Sequence, residues 1–221
     1  MKNTTKKGLV AVFVVFMVLL IDQLSKIWVK THMSLRQEFN VIGDWFRIYF
    51  VENNGMAFGI EAGGKLFLTL FRIVAAVFII IYLRKLVKQN YKTPFIACIA
   101  LVLAGATGNI IDSIFYGMIF EPSYEGFVAS FVPWGEGYAS LFHGKVVDMF
   151  FFPIWTKTLP NGTENVIFFK FIFNVADAAI SVGSALILIF YRQTLSHSLL
   201  SEKERNRLKI AEQAKENPRE T

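Results

Sequence analysis

The sequence predicts an all-α membrane protein with four transmembrane helices, and three observations carry that prediction. The chain is 54% hydrophobic over 221 residues and holds 23 phenylalanines, whereas soluble domains reach only about 45–50% apolar content even with glycine counted. Four apolar runs, 8–29, 66–83, 95–115 and 166–191, match or approach the ~20 residues that a helix needs to cross a bilayer. The basic residues cluster beside those runs, so the net charge of +6 reads as membrane topology, and no nucleic-acid partner is expected.

The first run follows Lys2, Lys6 and Lys7, as the apolar core of a secretory signal peptide would. No small-x-small cleavage site comes after it and three more runs do, so it is read as a retained helix. The second run is slightly short and contains Arg72, a charge that needs a partner inside a span. Arg84, Lys85, Lys88 and Lys92 fill the link to the third run, and Arg192, Lys203, Arg205, Arg207 and Lys209 follow the fourth. Four spans put all three basic regions on one side, which the positive-inside tendency makes cytoplasmic. Both termini are then cytoplasmic, and the connections at about 30–65 and 116–165 face outward. In the first of these, "FRIYFVE" has β-type residues in partial alternation and "ENNG" is a turn signal, so short strands are expected there. The expected organisation is a membrane domain over 1–192 and a charged cytoplasmic tail over 193–221.

Polar residues inside these runs carry the functional information, because a carboxylate in hydrocarbon costs roughly 2.5–3.5 kcal/mol on insertion scales. Asp22 and Lys26 are spaced to pair on one face of the first helix, which a purely structural pair would also explain. Asn109 and Asp112 in "GATGNIIDSIFYG" share a helix face, and Gly105 and Gly108 let another helix approach it. Asn174 and Asp177 in "FNVADAAISVG" repeat that spacing, and Ser181 and Ser184 extend the stripe. Two such helices are expected to face each other. Asn and Ser suit interhelical glue, but an ionisable Asp177 suits it poorly. Asp148, in "GKVVDMFFFPIW", could by its own surroundings be an ordinary loop carboxylate.

By topology Asp22, Asp112, Asp148 and Asp177 all fall at the outer membrane face. No cysteine, histidine or serine nucleophile constellation accompanies them. Cys98 is the only cysteine, and His32, His143 and His197 are scattered, so no disulfide, metal or cofactor is expected. Two carboxylates sharing a proton are the aspartic-protease arrangement, one acting as base on water and the other as acid toward the scissile carbonyl.

With these motifs in hand, the chain resembles the lipoprotein signal peptidase (signal peptidase II) family over most of its length up to about Arg192. "IDQLSK" resembles the family's first-helix Asp and Lys, "NNGMAFG" its N-x-G-x-A-F box and "GNIID" its third-helix G-N-x-x-D. "VVDMF" resembles its V-V-D-F segment, and "FNVADAAI" its F-N-x-A-D-x-x-I segment. The resemblance implies four helices with a small extracytoplasmic β-cradle. It also implies an aspartyl endopeptidase of the bacterial inner membrane that cuts prolipoproteins before their diacylglyceryl-modified cysteine. Asp148 and Asp177 match the family's catalytic pair, and Asn174 its orienting residue. Asn54, Gly55, Asn109, Asp112, Asp22 and Lys26 match supporting or substrate-binding positions. Partners are then prolipoprotein and membrane lipid, and the protein is expected to act as a monomer.

Two departures stand out. The family usually places Arg directly after the third-helix Asp, whereas this chain has Ser113; Arg72 is a possible substitute. A long insert at about 118–143, rich in aromatics and glycine, separates Asp112 from Asp148. It would be either a lid on the lipid surface or a tolerated surface insertion. Rival classes are a proton-coupled transporter, which would more commonly show inverted repeats and broken helices, and a scaffold held by polar glue, in which Asp177→Asn would be harmless.

Overall fold

In the computed structural model of the chain, residues 3–54, 64–158, 164–168, 170–200, 204 and 207 are described. Helices α1 (Asn3–His32), α2 (Gly64–Lys88), α3 (Thr93–Ile111) and α5 (Val175–Phe190) form the bundle. A π-helical turn (Asp112–Tyr116) and the short α4 (Gly117–Ile119) prolong α3. Among the described residues three helices are long and apolar enough to cross a membrane. A fourth is reached if α5 and α6 (Arg192–Leu199), bent 90° apart, count as one span.

The central helix is α3. Phe95, Ile96, Ala100 and Ala104 on it are fully buried, while α1 and α2 expose Phe13, Phe16, Phe67, Phe71 and Phe78 on their outer faces. Small residues set the close packing of α3 on α5. A Cβ on Gly105 would collide with the Ala176 carbonyl, and one on Gly183 with the Cys98 carbonyl. Between α2 and α3, Asn90 closes the turn at φ 59°, and Pro94 sits in the first helical turn, where its missing N–H costs nothing.

The fourth run differs from expectation. Its first part is strand: β5 (Glu164–Phe168) and β6 (Ile172–Phe173) precede α5, which begins only at Val175. The Asn174 side chain accepts from the Asp177 N–H, and the Asp177 side chain accepts from the Asn174 N–H. That reciprocal cap fixes the helix start. Of the stripe expected below Asp177, Ser181 is exposed.

The strands come from both connections and not from the first alone. A four-stranded antiparallel sheet runs β1 (Glu38–Ile42), β2 (Phe46–Asn53), β3 (Val146–Phe151), β6. β4 (Trp155–Thr158) and β5 form a separate hairpin. Stacked rings of Phe46, Phe152 and Phe173 join the ends of the sheet strands. The β2–β3 register shifts between Ile48 and Val51, next to the Val51–Asp148 pair, and such irregularities re-aim a side chain.

The insert at 118–143 is folded onto the scaffold. Lys30 is fully buried, bonds Glu52 at 2.5 Å and Ser123 at 2.8 Å, and lies over the rings of Phe120 and Tyr138. Gly137 packs directly on the backbone of Gly117 and Met118. Its far end exposes Tyr124, Phe127, Phe131 and Trp134. The tail is described only for residues up to 200, where α6 lies, and for 204 and 207.

Candidate active site

The polar residues of α1, α3, β3 and α5 meet at one end of the bundle. Asn174 is the hub. Its side-chain amide donates to Asp148 Oδ1 at 2.7 Å, to Asn109 Oδ1 at 3.2 Å and to the Val147 carbonyl at 3.2 Å. Asp177 lies one turn along α5; its Oδ1 accepts from Asn109 Nδ2 at 2.8 Å and its Oδ2 from the Asn174 N–H at 3.3 Å. Asp148 Oδ2 accepts from Asn53 Nδ2 at 3.2 Å. Asp148 is therefore placed by a strand, not by a loop, and Asp177 by a helix start.

The two carboxylates differ in environment. Asp148 is 3% exposed, and Asp177 is half-buried. Burial, and after it the negative charge of Asp177, push the Asp148 carboxyl up to about 7. Folding therefore strengthens proton binding at Asp148, and the fold loses stability as pH rises from the ordinary carboxylate range through about 7. Asp148→Asn removes this dependence. Its thermal stability relative to the unmodified protein is expected to rise between pH 5 and pH 8, measured by melting in detergent. A difference that stays constant across that range would contradict the assignment.

Beneath the pair lies a buried ionic cluster. Lys26 Nζ is 2.9 Å from Asp22 and 2.8 Å from Asp112, and all three side chains are fully buried. Lys26 also donates to Asn109 Oδ1 at 3.0 Å. Gln23 donates to both carboxylates at 3.0 Å and accepts from the Tyr116 hydroxyl. Both acids also reach backbone: Asp22 Oδ1 accepts from the Ala176 N–H at 2.9 Å, and Asp112 Oδ2, the oxygen that Lys26 contacts, accepts from the Val147 N–H at 3.4 Å. Ala176 and Val147 are the neighbours of Asp177 and Asp148, so the cluster braces both elements that carry the pair.

Arg72 on α2 donates to Ser113 Oγ at 3.5 Å and interacts electrostatically with Asp177, Asp112 and Asp148. A recess of about 440 Å³ opens beside Asp148, lined by Val51, Asn53, Asn54, Lys170, Phe171 and Ile172 among others. Asn54 stands at its rim, with its carbonyl accepting from Lys65. Gly55 lies outside the described residues. No residue of the insert lines the recess among the described residues. Among them, too, no group of three His, Cys, Asp or Glu is arranged to hold a metal ion.

Sequence reasoning missed Asn53, Gln23 and the Lys30–Glu52–Ser123 cluster. Gln23 could have been found, since it adjoins Asp22 within the first run. The others become neighbours only once the sheet and insert fold.

Comparison with known proteins adds an independent line. A family profile described as signal peptidase (SPase) II matches residues 14–192. The lipoprotein signal peptidase of Porphyromonas gingivalis is 50% identical over 196 residues, covering 86% of each chain. That of Amoebophilus asiaticus is 34% identical over 192 residues, covering 82% of this chain and 77% of its own. A bacterial membrane enzyme solved at 2.3 Å resolution superposes with a TM-score of 0.54 at 27% identity, covering 90% of this chain and 94% of its own. Its coverage spans bundle and sheet together, as the profile match does. This chain belongs to the signal peptidase II family, a family of aspartic-type peptidases of the bacterial membrane.

Proposed function

We propose that the protein is a membrane endopeptidase that removes signal peptides from bacterial prolipoproteins by cutting before the diacylglyceryl-modified cysteine, with Asp148 and Asp177 as its catalytic pair. The single observation that carries the reading is the bridging of two carboxylates in unlike surroundings by one asparagine, Asn174. The pair holds one proton, and Asp148 carries it at rest. Asp177 takes a proton from water as the oxygen attacks the scissile carbonyl, while Asp148 gives its proton to the carbonyl oxygen. The tetrahedral diol that forms leaves the pair again with one proton, now on Asp177. Collapse sends that proton to the departing amide nitrogen, and a diol hydroxyl returns its own to Asp148. Asn174, Asn109, Asn54 and Gly55 hold the pair and the substrate; Asp22, Lys26 and Asp112 brace them.

With α5 and α6 counted as one span, both termini lie on one side, read as cytoplasmic, and this site is read as extracytoplasmic. The distribution of basic residues supports that orientation. The substrate's acyl chains stay in lipid there while water reaches the acids, and one chain contains the whole machinery. The test is cleavage by purified protein of a prolipoprotein with and without the diacylglyceryl group. Cleavage before the cysteine of the modified form alone is expected; equal cleavage of both would sink the substrate assignment.

Arg72 supplies the positive charge that the family's Arg after the third-helix Asp would bring. Its guanidinium lies on Ser113, the residue that replaces that Arg. Arg72 interacts electrostatically with Asp177, Asp112 and Asp148, and a nearby opposite charge lowers a carboxyl pKa. Arg72→Met is therefore expected to move the alkaline limb of the rate profile upward by roughly one pH unit, and adding Ser113→Arg should return it. An unmoved limb in Arg72→Met would remove Arg72 from this role.

A further inference from the structure

At the end of the bundle opposite the acids, α1 and α2 part. Between them runs a groove of about 760 Å³, within the range of built ligand sites. Its walls are Ala11, Val15 and Leu19 of α1 and Leu83 and Val87 of α2, and its floor is Leu103 of α3. Two of the α1 residues that line it, Gly8 and Ala11, are small. A Cβ on Gly8 would meet only Val87, at 3.9 Å.

The only polar side chains on the lining are Arg84 and Lys88. Both are exposed, and neither has an ionic partner among the described residues. Two other cations nearby are already committed. Lys7 donates to the carbonyls of Asn90 and Tyr91, and Lys85 donates to the Ser198 carbonyl. An apolar channel with two uncommitted cations at its mouth fits an elongated apolar body with an anionic head.

We infer that the groove binds an anionic phospholipid of the cytoplasmic leaflet, its acyl chain against Ala11, Val15 and Leu103 and its phosphodiester on Arg84 and Lys88. Basic pockets between spans on the cytoplasmic side recognise anionic headgroups in this way, and each cation near the surface contributes about five-fold in affinity. Charge complementarity separates this ligand from its rivals. The signal segment of a substrate carries basic residues at its cytoplasmic end and would meet Arg84 and Lys88 with like charge. A second copy of this chain, related by two-fold symmetry, would bring the same cations against themselves.

The experiment is native mass spectrometry of the full chain, titrated with phosphatidylglycerol and, separately, phosphatidylcholine of identical acyl chains. One phosphatidylglycerol should be retained per chain in preference to phosphatidylcholine. Arg84→Gln/Lys88→Gln should weaken phosphatidylglycerol binding by about 25-fold, the product of two five-fold losses, and leave phosphatidylcholine binding unchanged. Gly8→Leu, which fills the groove without touching either cation, should also abolish retention. Equal retention of the two lipids would overturn the proposal, as would undiminished phosphatidylglycerol binding by the double variant. A dimer held through this face would also overturn it.

Discussion

Asp148→Asn and Asp177→Asn are each expected to lower the rate of prolipoprotein cleavage by roughly 10²–10⁴-fold, the range over which a positioned acid or base contributes. The substitutions keep the shape of each side chain. Asp177→Asn keeps one of the two hydrogen bonds that the two carboxylate oxygens accept, from Asn109 Nδ2 and from the Asn174 N–H. Asp148→Asn keeps one of the two hydrogen bonds that the carboxylate accepts from Asn174 and Asn53. The fold survives both changes, so the loss falls on proton transfer. Initial rates in detergent beside melting curves separate the two effects. A variant with near-normal cleavage would exclude that residue from catalysis.

The second large effect is on stability. Lys26→Met should destabilise the protein by about 3–5 kcal/mol, the cost of leaving a buried charge without its partner. Here two carboxylates lose the same cation, since Asp22 and Asp112 both lie within 3 Å of Lys26 Nζ and are fully buried. Activity should fall further than stability alone explains. Lys26 also holds Asn109, and Asn109 holds Asp177. Adding Asp22→Asn to Lys26→Met removes one orphaned charge and should recover part of the lost stability. A melting temperature equal to that of the unmodified protein in Lys26→Met would contradict the buried cluster.

These residues were legible to very different degrees. The Asn109/Asp112 and Asn174/Asp177 pairs stand out because helical spacing turns a three-residue interval into a shared face, and because carboxylates are conspicuous in apolar runs. The strand that carries Asp148 was not legible. All but one residue of Val146–Phe151 is buried, so it lacks the alternation of a half-exposed strand and reads as part of a hydrophobic run. The same ambiguity joined β5, β6 and α5 into one expected span, although Asn174 was available as a cap. Asn53, at the end of β2, is separated from Asp148 on β3 by α2, α3 and the insert, and only the pairing of β2 with β3 brings them together. Lys30 and Ser123 meet Glu52 through the folding of the insert, which no periodicity encodes. The insert itself was open between lid and tolerated insertion. Its base packs on Lys30, Glu52 and Gly117; Glu52 also lines the recess beside Asp148, although no residue of the insert does so among the described residues.

The central claim is that Asp148 and Asp177 act as one proton-sharing unit. The most direct test is a double-mutant cycle on cleavage, with single-turnover rates for the unmodified protein, Asp148→Asn, Asp177→Asn and the double variant. Residues that act as a unit give strongly non-additive losses. The account predicts that the double variant cleaves no more slowly than the slower single variant. Losses that multiply, so that the double variant is slower than either single one by the product of their effects, would show two independent contributions and contradict it.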